Sequence, residues 1–409
     1  MRFVFAANMI SMFGSGMNSA AVGWYILKAT HNEMALGMLV VLQTIPAMAL
    51  LPFSGVIIDR EDRRRLVMWL DALRGLIIVT VAILAFQHRV QVWQLYLMNT
   101  LVSAGFWMFW PTITALIQEL TPEGQFVESN TFLLAGVQGG WLIAGAVVGF
   151  MYDHVGLGGV LLIDVSTYVV SFLCYLAVRK GRHVVLRPQE LRADILAAES
   201  QLASFWREMR EGLHFIRDQR AVILLGISWA LFLGAMMTGG VVTPSLSDRV
   251  FHAGARGYGY LSAGWGTGAF VSTLYTARAI KLLSGRRALA FSMALLAVCM
   301  AFAPVSGFLW LAIVTYFFMG SGRGVGGVAM NSSLMEMVPK HLMGRVQNGF
   351  NLLGTTLQLV LALCVGATAH SVSLVAAFAI IACVYGLSFV AASWPVENVA
   401  PVSEPSVAE

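Results

Sequence analysis

The stretch Gly55-Val56-Ile57-Ile58-Asp59-Arg60-Glu61-Asp62-Arg63-Arg64-Arg65 decides how this chain is read. One acid and a basic cluster stand where a long apolar run ends, and a second apolar run begins at Leu66. A short basic turn between two apolar spans reads as a loop on the cytoplasmic face of a membrane, where Lys and Arg are retained. Outward from this turn the chain divides into roughly twelve apolar segments of about 20 residues, the length that crosses a hydrocarbon core as helix. They fall near 3–27, 34–57, 66–87, 92–117, 128–151 and 158–178, then 221–246, 257–279, 288–305, 308–335, 345–368 and 373–394.

Composition agrees. Of 409 residues, 58% are hydrophobic and 11% charged, too much apolar surface for a water-soluble domain to cover. The expected class is a polytopic, all-α membrane protein. The net charge of +5 is no nucleic-acid footprint, because topology places the basic residues. With both termini cytoplasmic, inner segments carry 21 of the 26 Lys and Arg, outer loops carry four, and Arg323 lies inside a span. That asymmetry supports the orientation and, in a bacterium, an inner-membrane location. Cys174, Cys299, Cys364 and Cys383 fall in separate apolar spans and read as small buried hydrophobes. The first apolar segment shows no cleavage site and is expected to stay as a span.

The two halves repeat. Ala115-Leu116-Ile117-Gln118-Glu119-Leu120-Thr121-Pro122 returns as Ser332-Ser333-Leu334-Met335-Glu336-Met337-Val338-Pro339, and Asn130, Phe132 and Gly136 match Asn348, Phe350 and Gly354. The offset of 217–218 residues is about half the chain. Such a repeat points to two pseudo-symmetric bundles with a substrate path between them. The expected organisation is an N-terminal six-helix bundle over 1–178, a cytoplasmic connector over 179–220, a C-terminal six-helix bundle over 221–394 and a disordered tail over 395–409. In the connector, Trp206, Met209, Leu213 and Ile216 share one helical face, which suggests an amphipathic helix on the membrane surface; a solvated linker helix is the alternative.

The whole chain resembles the major facilitator superfamily of transporters, and within it the subgroup of the enterobactin exporter and related drug-efflux permeases. The resemblance rests on Thr30 through Leu36, Pro46, Gly55-x-x-x-Asp59-Arg60-x-x-Arg63-Arg64-Arg65, Asp71-x-x-Arg74, Glu119-x-x-Pro122, and Glu336-x-x-Pro339 followed by Gly344-Arg345-Val346. It implies twelve helices in two bundles that rock to give alternating access, usually coupled to protons. A carboxylate is favoured at a helix N-terminus. Asp59 is therefore expected to latch the halves on the inner side, against the eleventh helix beginning near Gly344-Arg345. Gly55 allows close approach there, and Arg63 and Arg64 balance the charge; alternatively the arginines only fix topology. Arg278 holds the equivalent place in the second half, with Glu119 or Glu128 as its partner. Two departures from the subgroup stand out. Ser15 occupies the place of an acid common in the first helix, and Gly145-Ala146-Val147-Val148-Gly149 lacks the proline of a Gly-Pro pair common in the fifth. Gly140, Gly145 and Gly149 still permit tight packing.

Charges inside the bilayer are site candidates. Arg323 lies in Gly320-Ser321-Gly322-Arg323-Gly324-Val325-Gly326-Gly327, mid-span, where an Arg costs about 2.5–3.5 kcal/mol and must face a cavity or a partner. It reads as a binder of an anionic group, or else as half of a structural ion pair. Trp107 and Trp110 offer stacking walls or plain packing. Asp164 is the proton-site candidate and a possible partner for Arg323. Asp153, His154 and His370 read as solvated loop residues. Asn18 and Gln43, like Asn8, Ser11, Gln138 and Gln358, either line the cavity or hydrogen-bond between helices. There is no phosphate-binding Gly-x-x-x-x-Gly-Lys-Ser/Thr loop, metal-ligand spacing or nucleophile motif, so neither an enzyme nor a cofactor is expected. The reading is a monomeric secondary transporter. Its expected role is proton-driven export of a small organic molecule, siderophore-like or drug-like. An importer, a lipid-type flippase and a non-transporting membrane receptor remain alternatives on the same fold.

Overall fold

The computed structural model describes residues 2–121, 126–178, 216–217 and 219–395. Within these helices the side chains of 2, 47–48, 51–57, 59–60, 118, 126–138, 141–142, 340–341 and 344 are excepted. The described residues form eleven long helical segments, the fifth of which holds two helices joined at a kink, and no strand. These are α1 (Arg2–Thr30), α2 (Glu33–Arg60), α3 (Arg63–Phe86), α4 (Val92–Leu120) and α5 (Phe126–Ala177). They continue as α6 (Arg220–Ser245), α7 (Gly254–Leu283), α8 (Gly285–Phe302), α9 (Leu309–Met337), α10 (Lys340–Ser371) and α11 (Leu374–Ser393). Seven of them are long and apolar enough to cross a membrane. Helices α1, α7 and α9 are equally long, but Asn and Ser in α1 and glycines in α7 and α9 dilute their apolar character.

The fifth and sixth expected spans are two helices that meet at a kink at Gly156. α5 comprises both, a first arm up to Val155 and a second arm from Leu157, and Gly156 between them leaves helical geometry at φ 63° and ψ −175°, a conformation open to glycine. Asp153 and His154 are therefore helical rather than in a loop. α10 begins at Lys340, earlier than the expected start near Gly344, because Pro339 holds the extended N-cap conformation. Elsewhere local chemistry sets the ends. Asp62 caps α3 by accepting from the Arg65 amide at 3.1 Å, and Ser373 caps α11 by accepting from the Ala376 amide at 3.0 Å. His31 closes α1 in a left-handed turn, donating its amide to the Leu27 carbonyl at 2.8 Å. Pro244 removes an amide donor near the end of α6, and a π-helical turn, Leu246–Val250, follows.

The chain divides into two compact units, Met1–Leu202 with Thr243–Ala263, and Ala203–Val242 with Gly264–Glu409. The end of α6 and the start of α7 thus belong with the first five helices. In the first unit α1 packs on α5, α3 on α4 and α5, and α2 on α4. Val4, Met12, Val67, Phe109, Ile113 and Tyr175 form an apolar core among α1, α3, α4 and α5. In the second unit α8 packs on α9 and α11, and α10 on α11. Glycines set the distance between α7 and α9: a methyl group at Gly268 would lie 1.8 Å from the Phe317 carbonyl oxygen, and one at Gly320 would lie 1.8 Å from that of Trp265.

Beyond this apolar core, large apolar side chains also cover the outside and several polar ones lie within. Trp69, Leu76, Leu173, Phe270, Leu274 and Val298 are exposed, while Asn8, Asn18, Asp71, Arg74, Asp164 and Ser171 are buried. Such exposed apolar side chains suit lipid surroundings, and buried polar ones face protein partners. The connector residues 179–215 and the tail 396–409 lie outside the described residues, so the amphipathic helix expected there has only Ile216 and Arg217 on view.

Candidate functional site

Two polar stripes meet inside the first unit. On α1, Asn8, Ser11, Ser15 and Asn18 recur three or four residues apart and share a face. On the second arm of α5, Asp164, Thr167, Tyr168, Ser171 and Tyr175 do the same. Asn18 donates through Nδ2 to Asp164 Oδ2 at 2.8 Å, and the Thr167 hydroxyl lies 3.4 Å from Asp164 Oδ1. Ser15 Oγ and Tyr168 Oη share a hydrogen bond of 2.9 Å. Gly14 makes room for the acid, since a methyl group there would lie 2.5 Å from Asp164 Oδ1.

α3 adds a third stripe. Arg74 donates through Nη2 to Asp71 Oδ1 in a short ion pair, and Ser171 donates to Asp71 Oδ2 at 2.6 Å. The guanidinium lies between Phe109 and Tyr168, 4.5 and 4.7 Å from their ring centroids. Asp71, Arg74 and Asp164 are all at most 1% exposed. Asp164 has no ion-pair partner among the described residues, but it and Arg74 are near enough to interact through their charges. Around these groups, Arg74 Nη1, Asn18 Oδ1, Ser11 Oγ, Tyr175 Oη and the Asn8 amide have no hydrogen-bond partner among the described residues.

The second unit holds a different arrangement. Arg323 on α9 lies 5.0 Å from the Trp265 ring centroid and donates from Nε to the Met236 sulfur at 3.2 Å. It has no carboxylate partner among the described residues. Tyr385 is near enough to interact with its charge, and a run of rings continues from Tyr385 to Phe232 (6.3 Å) and on to Trp229 (5.3 Å). Trp229 donates to Asn351 Oδ1 at 3.0 Å.

The basic turn ties down helix ends. Arg64 donates to the Tyr175 and Leu176 carbonyls at 2.7 and 2.8 Å, satisfying acceptors that the last turn of α5 leaves free. Arg63 donates to the Ala115 carbonyl at 3.3 Å and sits 3.8 Å from Glu119 on α4. These arginines therefore serve α4 and α5, beyond the expected balancing of Asp59. Asp59 and Gly55 lie on helical backbone of α2, but their side chains, like those of Glu128 and Gln138, lie outside the described ones. Arg278 is exposed near the end of α7, and Arg345 is in the second turn of α10.

Other expected site residues are scattered. Asn18 joins the Asp164 network, whereas Gln43 donates to Asn99 Oδ1 at 2.9 Å between α2 and α4. Trp107 is 40% exposed and packs edge-on against Phe106, and Trp110 packs against the apolar core of its unit. The stretch 243–263 is held to the first unit by a row of charges. Lys28 pairs with Asp248 at 3.1 Å, the fully buried Glu33 with Arg249 at 2.9 Å, and Asp153 with Arg256 at 3.5 Å. Gly149 permits the backbone of Gly259 to come close beside them. Sequence reasoning gave no role to the Asp71–Arg74 pair or to Tyr168, Ser171 and Trp265. Two opposite charges three residues apart inside an apolar span were the available signal.

Comparison with known proteins places this architecture. The profile described as Major Facilitator Superfamily matches residues 4–356. Macrolide efflux protein A of Streptococcus pyogenes is 22% identical over 365 residues, covering 88% of this chain and 85% of that protein. Among solved structures, the nucleoside transporter NupG superposes with a TM-score of 0.73 at 12% identity, over 95% of this chain and 98% of that one. A bacterial homologue of the iron transporter ferroportin, in an inward-facing state, gives 0.72 at 12% identity over 96% and 98%. The fold and the family match agree: the chain belongs to the Major Facilitator Superfamily and is a membrane transporter of small molecules, not an enzyme.

Proposed function

We propose that this transporter exports small amphiphilic organic molecules by alternating access, with inward proton movement driving efflux. The observation that carries the reading is Asp164, a fully buried acid held by neutral donors and without a paired cation among the described residues. A carboxylate in that setting is stable in the membrane interior only if it takes up a proton or engages a cation during the cycle. The likeness to a macrolide efflux protein supports export. In this reading Arg323, with Trp265 and Tyr385 beside it, anchors an anionic or strongly accepting group of the cargo. Asp59 and its basic turn act at the inner gate, and the chain works as a monomer in the bacterial inner membrane.

The test is transport in proteoliposomes under an imposed pH gradient, with erythromycin and an anionic dye as separate probes. Gradient-driven movement of either probe by wild type, lost in Asp164→Asn while downhill exchange persists, is the expected result. Gradient-driven movement that survives Asp164→Asn would remove Asp164 from the coupling step.

A further inference from the structure

Arg74 has no part in the function as stated, although burying a guanidinium this deeply is costly unless it is paired on all sides. Its Nη2 holds Asp71, its Nε donates to the Leu70 carbonyl at 3.3 Å, and two rings fix its plane. Its Nη1 has no hydrogen-bond partner among the described residues, and its charge acts on Asp164 as well as on Asp71. With Asp164 protonated, the three groups sum to zero, one acid against one base. With Asp164 ionised they sum to one uncompensated negative charge.

We propose that Arg74 is the positioning residue that sets the proton affinity of Asp164, by dividing one guanidinium between Asp71 and Asp164. When the Asp164 O–H bond breaks, the proton leaves to water on the side to which the bundle is open. The carboxylate left behind then draws on the Nη1 side of Arg74, while Nη2 keeps Asp71. When Asp164 is reprotonated, Arg74 belongs to Asp71 alone. The other groups facing Asp164 are Asn18 and Ser15 on α1, Thr167 and Tyr168 on its own helix, and the Asp71–Arg74 pair on α3. Tyr175 and Ser171 lie further along the same face, against Asp71. Among the groups named, Arg74 is the one cation and Asp71 the other acid, so tuning of Asp164 by charge comes from this pair. Tyr168 links the two ends of the device, since its ring stacks on Arg74 while its hydroxyl meets Ser15 on the helix that carries Asn18.

The inference rests on Asp164 as the proton carrier, and the experiment separates the two. Full-length protein in detergent is titrated with pH, without any transport probe, and the infrared carbonyl band of protonated carboxylic acids is followed. Asp164→Asn identifies the band that belongs to Asp164. Asp71→Asn frees Arg74 for Asp164 and is expected to lower the midpoint of that band by about one pH unit, a tenfold loss of proton affinity. The double variant Asp71→Asn with Arg74→Gln replaces the buried ion pair by amides of similar size, so the fold is retained. It is expected to raise the midpoint by about one unit. Opposite shifts from two substitutions at one helix turn are not produced by loosened packing. Midpoints that coincide with wild type in both variants overturn the role of Arg74 and leave Asp164 in place. A titrating band that persists unchanged in Asp164→Asn overturns both readings.

Discussion

Replacing Arg323 by Met separates a ligand-binding arginine from a structural one. A guanidinium in the middle of a spanning helix costs about 2.5–3.5 kcal/mol. The stacking over Trp265 at 5.0 Å returns about 1–2 kcal/mol of this. The Met236 sulfur is a weak acceptor and adds little. With no carboxylate among its contacts, Arg323 is therefore a net burden of about 1 kcal/mol on the fold. Met keeps the unbranched shape, removes the charge, and gains a sulfur–aromatic contact worth about 0.3–1.5 kcal/mol. Arg323→Met is expected to melt at the wild-type temperature or about 2 °C above it, followed by intrinsic fluorescence in detergent. Binding is expected to move the other way. A charge-assisted hydrogen bond is worth about 1.5–3 kcal/mol, so the affinity for fluorescein, an anionic aromatic probe, should fall ten- to hundredfold by anisotropy. Arg323→Lys keeps the charge without the planar fork and should fall between. The reasoning is refuted if Arg323→Met melts about 10 °C lower, as loss of a buried ion pair would demand, and binds the probe as wild type does.

The charge row on 243–263 should be uneven in effect. Lys28 is half exposed, so Lys28→Ala costs under about 1 kcal/mol, whereas Glu33→Gln strips a fully buried carboxylate from Arg249 and costs about 2 kcal/mol. Hydrogen exchange at Leu246–Phe251 should accelerate in Glu33→Gln and stay at the wild-type rate in Lys28→Ala; equal rates in the two variants would show that burial does not rank these pairs. For the α7–α9 contact, Gly268→Val drives a side chain into the Phe317 carbonyl and should lower the melting temperature, at about 3 kcal/mol or more of overpacking. Gly327→Ala on the same helix pair meets nothing within 4 Å and should be neutral or slightly stabilising, so a Gly268 variant as stable as Gly327→Ala would contradict the packing argument.

Much of this architecture is legible in the sequence because the bilayer leaves the chain few choices. Apolar runs of spanning length, the basic turn at Arg60–Arg65 and the half-length repeat each report a constraint that acts locally along the chain. The helical state of Asp153 and His154 escapes such reading: polar residues at a membrane surface look alike whether they are helical or looped, and the kink between the two arms of α5 falls at Gly156. Trp107 and Trp110 show a second limit. An aromatic on a spanning helix faces lipid, core or cavity with equal ease, and the 40% exposure of Trp107 follows from which neighbours α4 meets. Arg323 was visible because a lone charge in an apolar run is costly. Its surroundings were not, because Trp265, Met236 and Tyr385 come from three other helices.

Ser15 poses the sharpest case. The subgroup resemblance looks for an acid on the first helix at this place, and its absence there argues against proton coupling when the sequence is taken one helix at a time. In three dimensions the place is not empty of acid. Asp164 reaches it from α5, bonded to Asn18 one turn beyond Ser15 and seated against the bare backbone of Gly14. Ser15 meanwhile binds Tyr168, one turn from Asp164 on the same arm. A carboxylate acts through its distance to other charges and its access to water, not through the helix that carries it. Asp164 therefore supplies a buried carboxylate beside the place that Ser15 occupies. Gly14 is what makes this approach possible, since any side chain there would close the space that Asp164 fills.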